Sequence, residues 1–291
     1  MSDTIADRVR RYVLDGGDED LRRLLGVAHV SADMARSAFR RIGVREGWTA
    51  VECGCGPIGG LAVLAEMVGP SGTVVGVDFN EPAVQRARSI AAALRLDNVE
   101  LFCGDIHDLD VAALGGPFDL AYTRLFLMHQ TDPGKTLRRI AGLLRPGGWL
   151  IAQEALRYPP PRSHPQHDSL GTYWDLLHGL LEQVVGVPHD AVDSLPRLGR
   201  AAGLEVVAVN GSFGTMDAEV GFDLHADTLA AGRERGVASG RWTAEQVDVL
   251  VNDLRAAKTG GYDWVTTPFY LDVAFRRPTA GLFPPLWTTV S

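Results

Sequence analysis

The 291-residue sequence predicts an α/β protein built on a doubly wound, mostly parallel seven-stranded sheet, with N-terminal helices and an inserted helical cap. Three observations carry this expectation. Short apolar runs alternate with helical segments from Trp48 to Glu154, turn signals fall between them, and a glycine-rich loop follows the first run. WTAVEC, TVVGVD, VELFC, FDLAYT and WLIAQE read as strands, and LAVLAEMV, AVQRARSIAAALR and TLRRIAGLL as the helices between them. Gly69-Pro70-Ser71-Gly72, Gly115-Gly116-Pro117 and Pro146-Gly147-Gly148 place turns ahead of the second, fourth and fifth strands.

Ahead of this core, Asp18-Glu19-Asp20 caps a helical segment through Leu21, Leu24 and Leu25, and Ser31 caps a second through Met34, Ala38, Phe39 and Ile42. After the core, the loop RYPPPRSHPQHD and the aromatic segment SLGTYWDLLHGLLEQVV fit no further strand and helix unit, so they read as an inserted cap. LEVVAVN and an antiparallel PFYLDVAFRR complete the sheet, separated by a polar helical stretch that reaches Lys258. The expected organisation is a helical lid (1–45), a cofactor-binding core (46–154), a cap insertion (155–203), a C-terminal completion of the sheet with a helical insertion (204–277) and a tail without periodicity (278–291).

A hydrophobic content of 46% suffices for a full core, and a net charge of −8 argues against a surface that neutralises phosphates, so nucleic acid is not an expected partner. The pairs Arg22-Arg23, Arg40-Arg41, Arg138-Arg139 and Arg276-Arg277 are interleaved with acids and read as solvated faces. No apolar run is long enough to cross a bilayer, and the acidic start lacks the pattern of a signal peptide; a cytoplasmic protein with no membrane partner is expected. Cys53, Cys55 and Cys103 read as buried thiols, not as a disulfide framework. Neither Cys53-x-Cys55 nor His164-x-x-His167 has the further ligands a metal needs, so no metal is expected.

The loop VECGCGPIGG raises the question of cofactor. Gly54, Gly56 and Gly59 fit G-x-G-x-x-G and let a backbone approach a ligand at the start of a helix, while Asp78 ends the second strand where it can accept from both hydroxyls of a ribose. Both features suit NAD as well as other adenosine cofactors. Glu52 does not suit a pyrophosphate, which a carboxylate at the end of the first strand would repel; the ammonium of S-adenosyl-L-methionine would be attracted. Gly104-Asp105-Ile106 after the third strand points the same way, with Asp105 placed to take an adenine amino group and Ile106 to pack on the ring.

In ECGCG (Glu52 to Gly56), GVDFN (Gly76 to Asn80, with Asp78 and Phe79), CGDIHDL (Cys103 to Leu109) and LLRPGGWLI (Leu143 to Ile151), the chain resembles the class I S-adenosylmethionine-dependent methyltransferases. Four ordered matches span about a hundred residues of the Rossmann-like core, and FDLAYTRLFLMHQTDP resembles the segment that follows the fourth strand in small-molecule members of quinone or natural-product type. The resemblance implies a cofactor site formed by Glu52, Gly54, Gly56, Asp78, Phe79, Gly104, Asp105, Ile106 and Arg124, the last offering its fork to a carboxylate. Pro57-Ile58 departs from the family, in which many members have one residue before the next glycine.

Methyl transfer from a sulfonium is an in-line displacement that asks mainly for orientation and exclusion of water. His129, just after the fourth strand, is the candidate general base for a hydroxyl or acidic-carbon acceptor, and its alternative role is to bond backbone. Tyr173 and Trp174 of the cap are candidates for the acceptor pocket, or else core residues of an amphipathic helix. The function expected is methylation of O, N or C of a small molecule, in secondary or quinone-type metabolism, with no partner beyond the acceptor and, at most, a second copy of the chain. A non-catalytic S-adenosylmethionine-binding protein and an NAD-dependent oxidoreductase are the alternatives.

Overall fold

The structure is a computed structural model in which residues 17–188 and 190–279 are described. The tail expected at 278–291 falls almost wholly outside the described residues. Helix α1 (Gly17–Ile42) is continuous, where two helices were expected. Ser31 is therefore no cap: it is buried in mid-helix, because no breaker interrupts the stripe that puts Met34, Ala35, Ala38 and Phe39 into the core.

The core follows as β1 (Thr49–Cys53), α2 (Leu61–Val68), β2 (Thr73–Asp78), α3 (Glu81–Ala93), β3 (Val99–Cys103), β4 (Phe118–Arg124), a 3-10 turn (Leu127–His129), α4 (Pro133–Leu143) and β5 (Leu144–Ala155). Two of its helices start where side chains satisfy free N–H groups: Asn80 caps α3 and Asp132 caps α4, each followed by a proline in the first turn. Strand β5 begins at Leu144 and runs through the Pro146-Gly147-Gly148 turn signal, with a register shift against β4 between Phe118 and Leu120. The glycines thus accommodate an irregular strand entry.

Beyond β5 lie β6 (Ser163–His164), α5 (Ser169–Leu180), a π-helical turn (Leu181–Val185), α6 (Leu195–Ala201), β7 (Glu205–Ser212), β8 (Thr215–Met216), α7 (Ala218–Ala231), α8 (Arg233–Ala238), α9 (Ala244–Ala257), β9 (Trp264–Thr266) and β10 (Tyr270–Arg276). The main sheet has seven strands in the order β3-β2-β1-β4-β5-β10-β7. Its first five are parallel, and β10 lies antiparallel between β5 and β7, as the sequence predicts. Burial on both faces explains why β1 and β2 are almost wholly apolar. Strand order reverses at β1 and β4, so the loops that leave their carboxyl ends diverge and open a crevice there.

A second sheet, β6-β9-β8, ties the loop after β5 to the segment between β7 and β10. Its two- and three-residue strands are too short to leave a periodic signal. Through it and through α5, α7 and α9, both late segments pack together over one side of the main sheet.

Several surface expectations are corrected by packing. Arg23 is buried, Arg41 pairs with the buried Asp272, Arg139 donates to the Ile106 and Leu109 carbonyls, Arg276 lies over Trp149, and Arg277 donates to Ala141 and Leu144 carbonyls. Arg41, Arg139 and Arg277 thus anchor an acid or backbone carbonyls, because the donors of a guanidinium can satisfy groups that the fold leaves over. Cys103 is exposed, against expectation, at the outer end of β3, whereas Cys53 and Cys55 are buried and burial pushes both thiols up.

Candidate active site

The expected cofactor residues stand at or just beyond the carboxyl ends of β1, β2, β3 and β4. The β1 loop takes left-handed backbone at Gly54, Gly56 and Gly59, with φ of 75°, 53° and 48°. A Cβ on Gly56 would point into open space, whereas one on Gly54 would lie 2.2 Å from the Phe126 ring. Gly56 is therefore the point of the loop that a ligand can approach.

Asp78 holds that point in place. One carboxylate oxygen accepts from Gly56 N–H at 2.8 Å and the other from Asn80 N–H at 2.9 Å. Burial pushes its carboxyl up, and bonds from the Asn80, Gly56 and Phe79 amides pull it back. Next to it, Gly104 donates to the Asp78 carbonyl at 2.9 Å and fixes the end of β3. Asp105 and Ile106 are buried beyond it; Asp105 accepts from His107 N–H at 3.0 Å, and Arg139 holds the Ile106 carbonyl at 2.6 Å. Phe79 is half-buried at the rim.

Glu52 is 1% exposed, and both its oxygens accept from Gly60 N–H, at 2.7 and 2.9 Å. A Cβ at Gly59 would lie 2.4 Å from the Glu52 carboxylate and 2.6 Å from the Cys55 carbonyl, so the loop containing Pro57-Ile58 closes over this acid only with glycine there. Burial pushes Glu52 up to about 8, while the Arg124 charge and the Gly60 bond draw it down. Glu52 and Arg124 are thus brought together on adjacent strands beneath the loop. An incoming ammonium or carboxylate would meet groups that already interact with each other.

His129 ends the 3-10 turn after β4 and is half-buried. Burial first, then the neighbouring Arg23 and His178, lower it to about 4, so its ring is neutral at neutral pH. Arg23 comes from α1 and His178 from α5, which places lid and cap residues around the same imidazole.

Tyr173 and Trp174 are buried at 1% and 3% exposure. The Tyr173 hydroxyl meets His225 Nδ1 at 2.9 Å, and His225 Nε2 meets the Thr266 carbonyl at 2.8 Å. Because a carbonyl only accepts, Nε2 carries the proton and Nδ1 accepts from Tyr173. Burial holds His225 at about 4 and therefore neutral. Trp174 donates to the Arg157 carbonyl at 2.8 Å and meets the His178 ring edge-on at 4.6 Å. Tyr173 is thus tied to α7 and β9 and Trp174 to the loop after β5, and through His178 Trp174 borders the His129 neighbourhood.

Sequence reasoning passed over two groups here. Gln153 links Tyr122 to Asp272 by bonds of 2.8 Å on either side, and Asp272 also accepts from Ser212 and Arg41. Glu154, fully buried, accepts from the amides of Phe126, Leu127 and Met128. The only trace of either in the sequence is a polar pair that ends the apolar run WLIAQE.

A doubly wound sheet of this order, with a glycine loop after β1 and acids ending β2 and following β3, defines the class I methyltransferase fold. Residues 45–172 match the family model described as a methyltransferase domain. Residues 45–172 thus carry a methyltransferase domain, and the chain is similar to the S-adenosylmethionine-dependent methyltransferases. It is 28% identical to nocamycin O-methyltransferase of Saccharothrix syringae over 85% of this chain and 92% of that one. It is 40% identical to an uncharacterized 37.1 kDa protein in transposon TN4556 of Streptomyces fradiae, over 43% of this chain and only 36% of that protein. The fold is shared with the YcgJ protein of Bacillus subtilis, with a TM-score of 0.54 at 15% identity over 87% of this chain and all of that one. Among the described residues no helix is long and apolar enough to cross a membrane.

Proposed function

We propose that this protein transfers the methyl group of S-adenosyl-L-methionine to a small-molecule acceptor in the cytoplasm, in secondary or quinone-type metabolism. The observation that carries the proposal is the Asp78 carboxylate bonded to Gly56 N–H, at a glycine whose side-chain direction is open. The residues present fit the cofactor: Asp78 can share its oxygens with ribose hydroxyls, Asp105 can accept from the adenine amino group beside Ile106, and Phe79 and Gly104 border that end. Arg124 offers a positive charge to the carboxylate end of a methionine, and Glu52, pushed up to about 8 by burial, would take up its negative charge as the ammonium end arrives, with Gly54 and Gly56 as the backbone wall. The bound cofactor supplies the electrophilic methyl; the protein orients the acceptor and excludes water. The segments between β5 and β7 and between β7 and β10 together enclose the acceptor, with Tyr173 and Trp174 as the rigid back of the pocket. Such enclosure suits a small molecule better than a polymer.

Incubation with methyl-labelled cofactor and a panel of phenolic, enolic, carboxylic and amine acceptors tests the proposal. Label in a small-molecule product is expected; tight S-adenosylhomocysteine binding without transfer to any acceptor would favour a non-catalytic binding protein, and tight NAD binding an oxidoreductase.

For an oxygen or acidic-carbon acceptor, His129 is the general base. A ring held near 4 is a weak base, better matched to an acidic hydroxyl than to an alcohol. Its neutral form persists down to that value, so activity is expected to fall as pH drops through about 4 instead of through the usual histidine range. His129→Gln is expected to lower turnover about 100-fold with S-adenosylhomocysteine affinity nearly unchanged, as measured by initial rates and calorimetry. Full activity in that variant would remove the base role and leave the methyltransferase assignment intact.

A further inference from the structure

The chain leaves β4 sharply. Leu125 adopts φ of 49°, an uncommon conformation for a side chain other than glycine, and its N–H is held by the Gln153 carbonyl at 3.0 Å. The next three amides, Phe126, Leu127 and Met128, all point at the Glu154 carboxylate, at 3.2, 2.9 and 3.3 Å. These are the donors that the start of a helical turn leaves without intrahelical partners. Glu154 is 0% exposed, and a buried carboxylate is tolerable only when such donors surround it. Two consequences follow along the turn. Phe126 is pressed against Gly54 of the glycine loop, and His129 closes the turn through its own N–H to the Phe126 carbonyl at 3.0 Å.

We propose that Glu154 is a positioning residue: its carboxylate gathers the Phe126–Met128 backbone and thereby sets where Phe126 and His129 stand at the cleft. Its consequence for methyl transfer rests on the function proposed above, whereas the placement of His129 does not. The groups that face Glu154 from the neighbouring strands are Thr123 of β4 and Tyr270 of β10. Burial raises the Glu154 carboxyl to about 7 and the three amides and Thr123 draw it down, so its ionisation can be followed near neutral pH. His129 itself is faced by Arg23 and His178.

Glu154→Gln keeps the size of the side chain but offers one accepting oxygen and one donating amide to three N–H groups. The turn is expected to loosen and His129 to gain water. In carbon-edited NMR titrations of the histidine rings, the His129 midpoint should rise by about one pH unit or more in E154Q. Phe275→Leu, a core change on β10 remote from the turn, should leave it in place. A midpoint unchanged in E154Q, or moved equally by F275L, would overturn the proposal. Should E154Q not fold, the native protein serves: the amide protons of Phe126, Leu127 and Met128 should shift together with the Glu154 carboxyl carbon at one common midpoint. Amides that ignore that titration would equally overturn it. A protein that fails to bind S-adenosylhomocysteine would sink the cofactor assignment while leaving these histidine and amide readouts as they are.

Discussion

Trp174→Ala is expected to cost about 3–5 kcal/mol of stability, the range for removing a buried aromatic from a core that collapses only in part. The indole is 3% exposed, and its loss would also leave the Arg157 carbonyl without the donor that now reaches it at 2.8 Å. Chemical denaturation should show the full loss in the midpoint with little change in slope. The substitution also discriminates between roles. If Trp174 is only framework, the folded fraction should retain acceptor KM and S-adenosylhomocysteine affinity. If it also backs the pocket, acceptor KM should rise or preference change, because His178, which it supports edge-on, is one of the two groups that face His129. S-adenosylhomocysteine affinity is expected to move little in either case, since Trp174 contacts Arg157, Tyr173 and His178, none of them at the ends of the first three strands.

Asp78→Ala is expected to weaken S-adenosylhomocysteine binding at least about tenfold, on the order of 1.5–3 kcal/mol for hydrogen bonds to a charged acceptor. Two effects act together. The ribose hydroxyls lose their acceptor, and Gly56 N–H loses the carboxylate oxygen that holds the loop at 2.8 Å. Asp78→Asn separates them: its amide oxygen can still accept from Gly56 N–H but cannot serve Asn80 N–H and two hydroxyls as well. An intermediate affinity is therefore expected for the asparagine variant by calorimetry. Unchanged affinity in a folded alanine variant would remove Asp78 from the cofactor site.

The described core was legible in the sequence because each part rests on a short-range rule. Apolar runs of strand length, helices with a 3.6-residue period and glycines at the turns are local signals, and they predict the order of elements from β1 to β5. The acids of the cleft were legible for a related reason: Asp78 and Asp105 stand where strands end, and a parallel sheet brings all strand ends to one edge. Ser31 shows where local rules stop. A serine has the chemistry of a cap, but only the packing of α1 on the sheet shows that the helix runs through it.

What the sequence by itself determined, then, is the sheet, the glycine loop and the kind of side chain at each strand end, because these follow from periodicity and from residue chemistry. Only the tertiary structure decided which groups those side chains face. Glu52 and Arg124 are drawn together across β1 and β4, Glu154 reaches back from β5 to gather the turn after β4, and Arg23 and His178 arrive at His129 from either side of it in the sequence. Tyr173 likewise meets its histidine only because α5 and α7 pack side by side. Such contacts join residues with no pattern in common, and buried polar groups must find partners wherever the fold brings donors and acceptors together, at positions no local period encodes.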